Sequence, residues 1–248
     1  MKAEPAEIGD QLLPGDRRFY GLLLPYFAPY LIYVAISSIP ETIVPTETAQ
    51  GIKLLATGAA LLYFRNTYRF GSLRPLHGFI ALLALPVALA AWISPFYGLK
   101  MLGISDVISV VDRPSFSLLS FCLRVINSVI LVAVFEELFM RVYVMGWFFQ
   151  AGLQRQAKGL IGSISDTLDQ HPAPQGELPL STFSVIGTTL AFTAGHQIHE
   201  YLSAALYFLF TTWLYKKTGS LWVCIFVHGL TNLAIALLAK YGGMAWLW

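Results

Sequence analysis

Charge is what this sequence has least of. Only 12% of its 248 residues are Asp, Glu, Lys or Arg, against 56% hydrophobic. Soluble domains carry about 25% charged residues, so the composition excludes an ordinary soluble domain and points to a membrane protein. The net charge of +2 is too small for a nucleic-acid-binding surface. Cysteine is nearly absent too. Cys122 and Cys224 both lie in apolar runs, which argues for packing rather than a disulfide framework. The first eighteen residues lack the apolar stretch of a cleavable signal peptide and mix Lys2, Arg17 and Arg18 with Glu4, Glu7, Asp10 and Asp16. There is no internal repeat and no sign of a second domain.

What the chain does have is a series of long apolar runs. They cover residues 19–39, 48–64, 76–93, 116–149, 180–196, 201–215 and 221–239. The fold class they predict is all-α: one polytopic bundle of about seven to eight membrane helices, taking residues 1–248 as a single integral membrane domain. Pro25 and Pro29 fall inside the first run, where a lipid-embedded helix tolerates them. Residues 94–115 read as a longer connection with a short amphipathic piece around Leu102 to Val111. The run 116–149 is too long for one simple span. At 1.5 Å per residue it would extend about 50 Å against a ~30 Å hydrocarbon core, so a break near Glu136, a steep tilt or a projecting end is expected.

The first loop carries no Lys or Arg, and the second carries Arg65, Arg69 and Arg74. That asymmetry, with the basic residues of the tail, predicts an N-terminus in the cytoplasm, and the inner membrane if the source is bacterial. The polar segment Gly152–Pro179, with His171, reads as a surface loop in preference to a substrate gate. Trp246 and Trp248 read as interfacial anchors.

Against this background Glu136, Glu137 and Arg141 stand out, three charges inside the apolar run 134–149. Each costs roughly 2.5–3.5 kcal/mol at the bilayer centre on insertion scales, so their presence demands a role. On a helix Glu137 and Arg141 are four apart, in the favoured acid-before-base order, and can pair. Glu136 lies roughly 140° round the helix from Arg141 and lacks that partner. One acid reads as structural and the other as free for chemistry.

The histidines divide in the same way. His77 and His171 fall at or outside the ends of apolar runs, whereas His196, His199 and His228 fall at or near them. His228 and Asn232, four apart, share a helical face and can converge on one atom, as donors to a developing oxyanion do. His196 can share a water with Glu136 as a general-base pair. Taken singly, an intramembrane His or Asn is often interhelical glue, at ~0.6 kcal/mol per hydrogen bond. Glue, however, does not need three charges. His196-x-x-His199-Glu200 has neither zinc-helix order and reads as a polar turn between two helices.

Three segments taken together, Glu136-Glu137-Leu138-Phe139-Met140-Arg141, Phe192-Thr193-Ala194-Gly195-His196 and His228-Gly229-Leu230-Thr231-Asn232, resemble the CAAX protease and bacteriocin-processing family of intramembrane endopeptidases. The type II CAAX prenyl endopeptidases, the Ras-converting enzymes, belong to that family. The resemblance covers residues 134–248. It implies that Glu136 and His196 activate a water, that His228 and Asn232 form the oxyanion hole, and that Glu137 and Arg141 brace the site. The implied partners are a peptide or protein substrate at the membrane, whether of prenylated CAAX type or sorting-related, and the lipid bilayer, with no nucleic acid. Metal-free chemistry is the preferred expectation; zinc, if present, would draw on Glu136, His196 and His228. The alternative is a non-proteolytic membrane scaffold of the same fold binding another membrane protein. A haem held by His196 and His228 would leave the three charges unexplained.

Overall fold

The structure, a computed structural model, describes residues 19–105, 117–154, 159 and 179–247. The N-terminal tail, most of the piece expected around Leu102 to Val111, nearly all of Gly152–Pro179 with His171, and Trp248 lie outside the described residues. The described residues form seven helices and no strand. These are α1 (Phe19–Ser37), α2 (Thr46–Tyr63), α3 (Pro75–Met101), α4 (Leu118–Gln154), α5 (Thr182–Ala194), α6 (Tyr201–Thr218) and α7 (Leu221–Tyr241). Among the described residues α3, α4 and α7 are each long and apolar enough to cross a bilayer. The chain is an integral membrane protein with an all-α fold.

The proline-containing helices show how backbone groups are satisfied away from water. Pro29 has no N–H for the Pro25 carbonyl four residues earlier, which leaves that acceptor free inside α1. The buried Tyr68 hydroxyl, from the α2–α3 connection, donates to it at 2.6 Å. Burial pushes the Tyr68 phenol up from its ordinary range, which keeps the proton on this donor. Helix α3 begins with Pro75 at its first turn, where a missing N–H costs nothing, and runs on through Pro86 and Pro95 to Met101. The expected connection from residue 94 therefore starts eight residues late, because an apolar helix among other helices absorbs a proline that would mark a boundary in a soluble protein.

Helix α4 settles the ambiguity of the long apolar run. It does not break near Glu136 but continues for 37 residues. Two stretches within it, Asn127–Val132 and Leu138–Val144, wind as π-helix, with the short α segment Ala133–Glu137 between them. Each π stretch bonds i to i+5 and so widens the helix locally. The two acids thus sit on a five-residue segment bounded on both sides by widened turns.

Helix α3 lies along α7 and α6, α1 along α2, and α5 along α6, while α4 runs past α2 and α7. Buried among them are small polar residues, Thr57, Ser184, Thr188, Ser203 and Thr211. Thr188 and Thr211 return their hydroxyls to carbonyls of their own helices. Small side chains of this kind let lipid-embedded helices approach closely.

Candidate active site

Arg141 is fully buried on α4, and every polar edge of its guanidinium is engaged. Nε bonds to Glu137 one turn earlier, Nη1 donates to Thr212 Oγ1 at 2.7 Å and Nη2 donates to Thr211 Oγ1. The Phe208 ring covers the guanidinium plane, its centroid 4.4 Å from Cζ. The pairing of Glu137 and Arg141 agrees with their four-residue spacing. Thr211, Thr212 and Phe208 of α6 complete the enclosure, and this is what makes a charge tolerable at that depth.

Glu137 does more than brace Arg141. Its second oxygen, Oε1, stands 3.2 Å from His228 Nδ1 on α7. A carboxylate can only accept here, so Nδ1 carries the proton and Nε2 points the other way. It points towards Glu136, whose Oε2 is 3.8 Å from His228 Nε2. The imidazole therefore lies between the two acids. Glu137 is 2% exposed and Glu136 20%, so the first is sealed and the second reaches solvent.

A cavity of about 140 Å³ opens beside this pair, and Glu136, His196, His228 and Asn232 all line it. Residues from α4, α7 and the end of α5 thus share one space with room for several waters. His196 is not on a helix. Helix α5 ends at Ala194, Gly195 caps it, and His196 follows in the turn, its backbone N–H bonded to Thr193 O at 3.0 Å. Its Nδ1 donates to the Phe192 carbonyl at 2.8 Å, which fixes the tautomer and leaves the Nε2 lone pair available. The ring is held between Phe192, 4.6 Å away centroid to centroid, and Trp92 of α3, 5.5 Å away.

Asn232 is less free than the spacing alone suggests. Its Nδ2 donates to the Ser128 carbonyl at 2.8 Å, in the first π stretch of α4. An amide nitrogen has two protons, so one remains for the cavity. Gly229, between His228 and Asn232, makes this approach possible: a Cβ there would stand 2.6 Å from the Val129 carbonyl oxygen.

Two cavity residues carry no signal in the sequence. Tyr207 of α6 is 2% exposed, lines the cavity, packs edge-on to His228 at 5.9 Å, and has no hydrogen bond of ordinary geometry at its hydroxyl, which lies beside Thr231. Thr231 lines it as well, with its hydroxyl given to the Val227 carbonyl at 2.7 Å. No regular spacing relates Tyr207 to the charged residues, and it is one of twelve tyrosines. His199 and Glu200 stand apart, in the short turn Ile198–Glu200, where Glu200 accepts the Gln197 backbone N–H at 3.0 Å. They form the polar turn that their order suggests. His77 accepts the Arg74 N–H at the start of α3, well away from the cavity.

A zinc ion here would draw on Glu136, His196 and His228. Among the described residues, no three His, Cys, Asp or Glu side chains are grouped so as to hold a metal. The three share a cavity wall without forming a ligand set, and the 3.8 Å between Glu136 and His228 is a distance for charge interaction or a shared water. What the arrangement offers chemically is a partly exposed carboxylate, an imidazole with a free lone pair, and side-chain N–H donors lining the same cavity.

Residues 118–234 match the family model described as type II CAAX prenyl endopeptidase Rce1-like. The matched span holds all three motifs and stops two residues beyond Asn232, while Trp92 lies outside it. No curated protein and no solved structure matches the chain.

Proposed function

Because the chain belongs, through residues 118–234, to the type II CAAX prenyl endopeptidase Rce1-like family, we propose that it hydrolyses a peptide bond of a membrane-associated polypeptide inside the cavity beside Glu136. The family gives the coarse statement, an intramembrane endopeptidase. The finer reading, which side chain does what, rests on the one observation that Glu136, His196, His228 and Asn232 line a single cavity.

In this reading a water stands between Glu136 and the Nε2 lone pair of His196. Glu136 takes a proton from it as its oxygen bonds to the scissile carbonyl carbon, and the carbonyl π electrons move onto oxygen. His228 Nε2–H and the second Asn232 N–H donate to that oxyanion, with the Tyr207 hydroxyl as a third donor. Collapse of the intermediate breaks the C–N bond, and the proton held by Glu136 passes to the leaving nitrogen, giving a free amine and a carboxyl terminus. For His228 to donate from Nε2 while Nδ1–H bonds to Glu137, its ring must carry both protons, and a carboxylate on either side compensates that charge. Glu137 and Arg141 are positioning residues: Arg141 fixes Glu137, and Glu137 fixes the ring.

The test is Glu136→Gln, which keeps the shape and removes the base. Cleavage of a membrane-tethered reporter peptide by the purified full-length protein should fall by about a hundred- to ten-thousand-fold, the usual weight of a positioned general base. Unchanged cleavage would remove Glu136 from the mechanism.

A further inference from the structure

The seven helices alternate in direction, so their ends gather at two faces. One face holds the α2–α3 connection, where Trp222 Nε1 at the start of α7 donates to Gly71 O at 3.3 Å. It also holds the junction of α4 and α5, where Phe148 meets Phe183 at 5.8 Å. The opposite face holds the starts of α2 and α4, joined where Ser117 Oγ donates to Glu47 at 2.8 Å. There too Phe96 near the end of α3 packs on Trp246 beyond α7 at 4.9 Å.

Basic residues are divided very unequally between these faces. Among the described residues the first collects Arg65, Arg69 and Arg74, with Lys216 and Lys217 at the end of α6. The second has Lys100 and Lys240 near its helix ends, with Lys53 and Arg124 deeper in α2 and α4. Lys and Arg in short connections are retained in the cytoplasm. The first face is therefore the cytoplasmic one.

The cavity starts mid-bundle, with Glu136 halfway along α4 and His228 seven residues from the first-face end of α7, and its lining extends towards the second face. Tyr207 is six residues, ~9 Å of rise, from the second-face end of its helix, and Ile235 stands equally close to the same end of α7. His196 lies in the second-face connection itself. Towards the first face the way is closed by Arg141, Glu137 and Phe208, all buried.

We infer that the cavity opens to the extracytoplasmic side and that its substrate is a polypeptide segment displayed there, not a chain terminus in the cytoplasm. The substrate half of this rests on the endopeptidase reading; the sidedness does not. The experiment uses the full chain in intact cells, with Cys122→Ser and Cys224→Ala as background. Ile198→Cys, at a position 83% exposed in the turn after His196, is compared with Arg69→Cys, exposed at the first face. A membrane-impermeant maleimide should label the first variant in intact cells as fully as in detergent, and the second only after lysis. The reverse pattern, or equal labelling of both in intact cells, overturns the inference. If Ile198→Cys does not accumulate, Ile43→Cys in the α1–α2 connection reads the same face. Labelling is independent of Glu136→Gln, so an error about catalysis and an error about sidedness give different results. A reporter displaying its cleavable segment outside should be cut and one displaying it inside spared; the opposite preference overturns the substrate half alone.

Discussion

Glu137 and Tyr207 illustrate opposite ways in which a buried polar residue can matter. Glu137 is satisfied on both oxygens, by Arg141 and by His228. The Tyr207 hydroxyl makes no hydrogen bond of ordinary geometry, with Thr231 beside it, and its ring is held edge-on to His228 and Trp92. A buried hydroxyl without a well-formed bond adds little to stability and is open to a group that enters the cavity. Tyr207→Phe should therefore leave the thermal midpoint in detergent unchanged while lowering kcat by about a hundred-fold with KM little altered, as loss of one oxyanion donor does. An unchanged kcat would assign Tyr207 to packing alone. The charged triplet was legible in the sequence because ionisable residues are rare and costly in apolar runs. Tyrosine is neither, so Tyr207 stands out only in the folded chain. The bond from Glu137 to His228 was equally hidden, since nothing in either segment says which of two adjacent acids faces a residue ninety-one positions away.

At the scale of elements, the apolar runs foretold all seven helices and most of their ends. What they did not reveal were departures from regular geometry. Hydrophobicity shows where a helix lies but is nearly blind to one extra residue in a turn, so the π stretches on either side of Glu136 and Glu137 left no mark. The apolar run 180–196 predicts His196 at a helix end; the helix stops two residues earlier, and the Phe192 carbonyl holds the ring instead. The contact of α7 with the first π stretch is the most sensitive of these features. At Gly229 a methyl would meet the Val129 carbonyl oxygen at 2.6 Å, and backbone cannot swing aside as a side-chain end can. Gly229→Ala should destabilise the protein by about 1–3 kcal/mol, the usual cost of overpacking. It should also weaken cleavage by pulling Asn232 away from Ser128. Gly58→Ala in α2, where nothing lies within 4 Å, is the matched control and should be neutral or slightly stabilising. Equal melting shifts in the two variants would show that the close approach on α7 has no special weight.

Across the whole molecule, helix lengths are badly mismatched to one another. Helix α4 has 37 residues and rises ~55 Å, whereas α5 has 13 and rises ~20 Å, well short of a ~30 Å hydrocarbon core. The turn after α5 bears Gly195, His196, Gln197, His199 and Glu200. A short helix draws this polar turn below the level of the membrane surface, and lipid must thin around it or water must follow it in. The same feature brings His196 to the mouth of the cavity, so access of water to Glu136 depends on how deeply that turn is sunk. Thicker bilayers, at a cost of fractions of a kcal/mol per Å of mismatch, favour states in which acyl chains close over the turn. Cleavage of a tethered reporter should accordingly run several-fold slower in dierucoyl than in dimyristoyl phosphatidylcholine vesicles, both fluid, at equal enzyme density. Extending α5 outward by one helical turn, inserted before Gly195, should abolish activity in both lipids, because it carries His196 out of the cavity. A rate indifferent to acyl length would mean that water reaches Glu136 by a route that does not pass the end of α5.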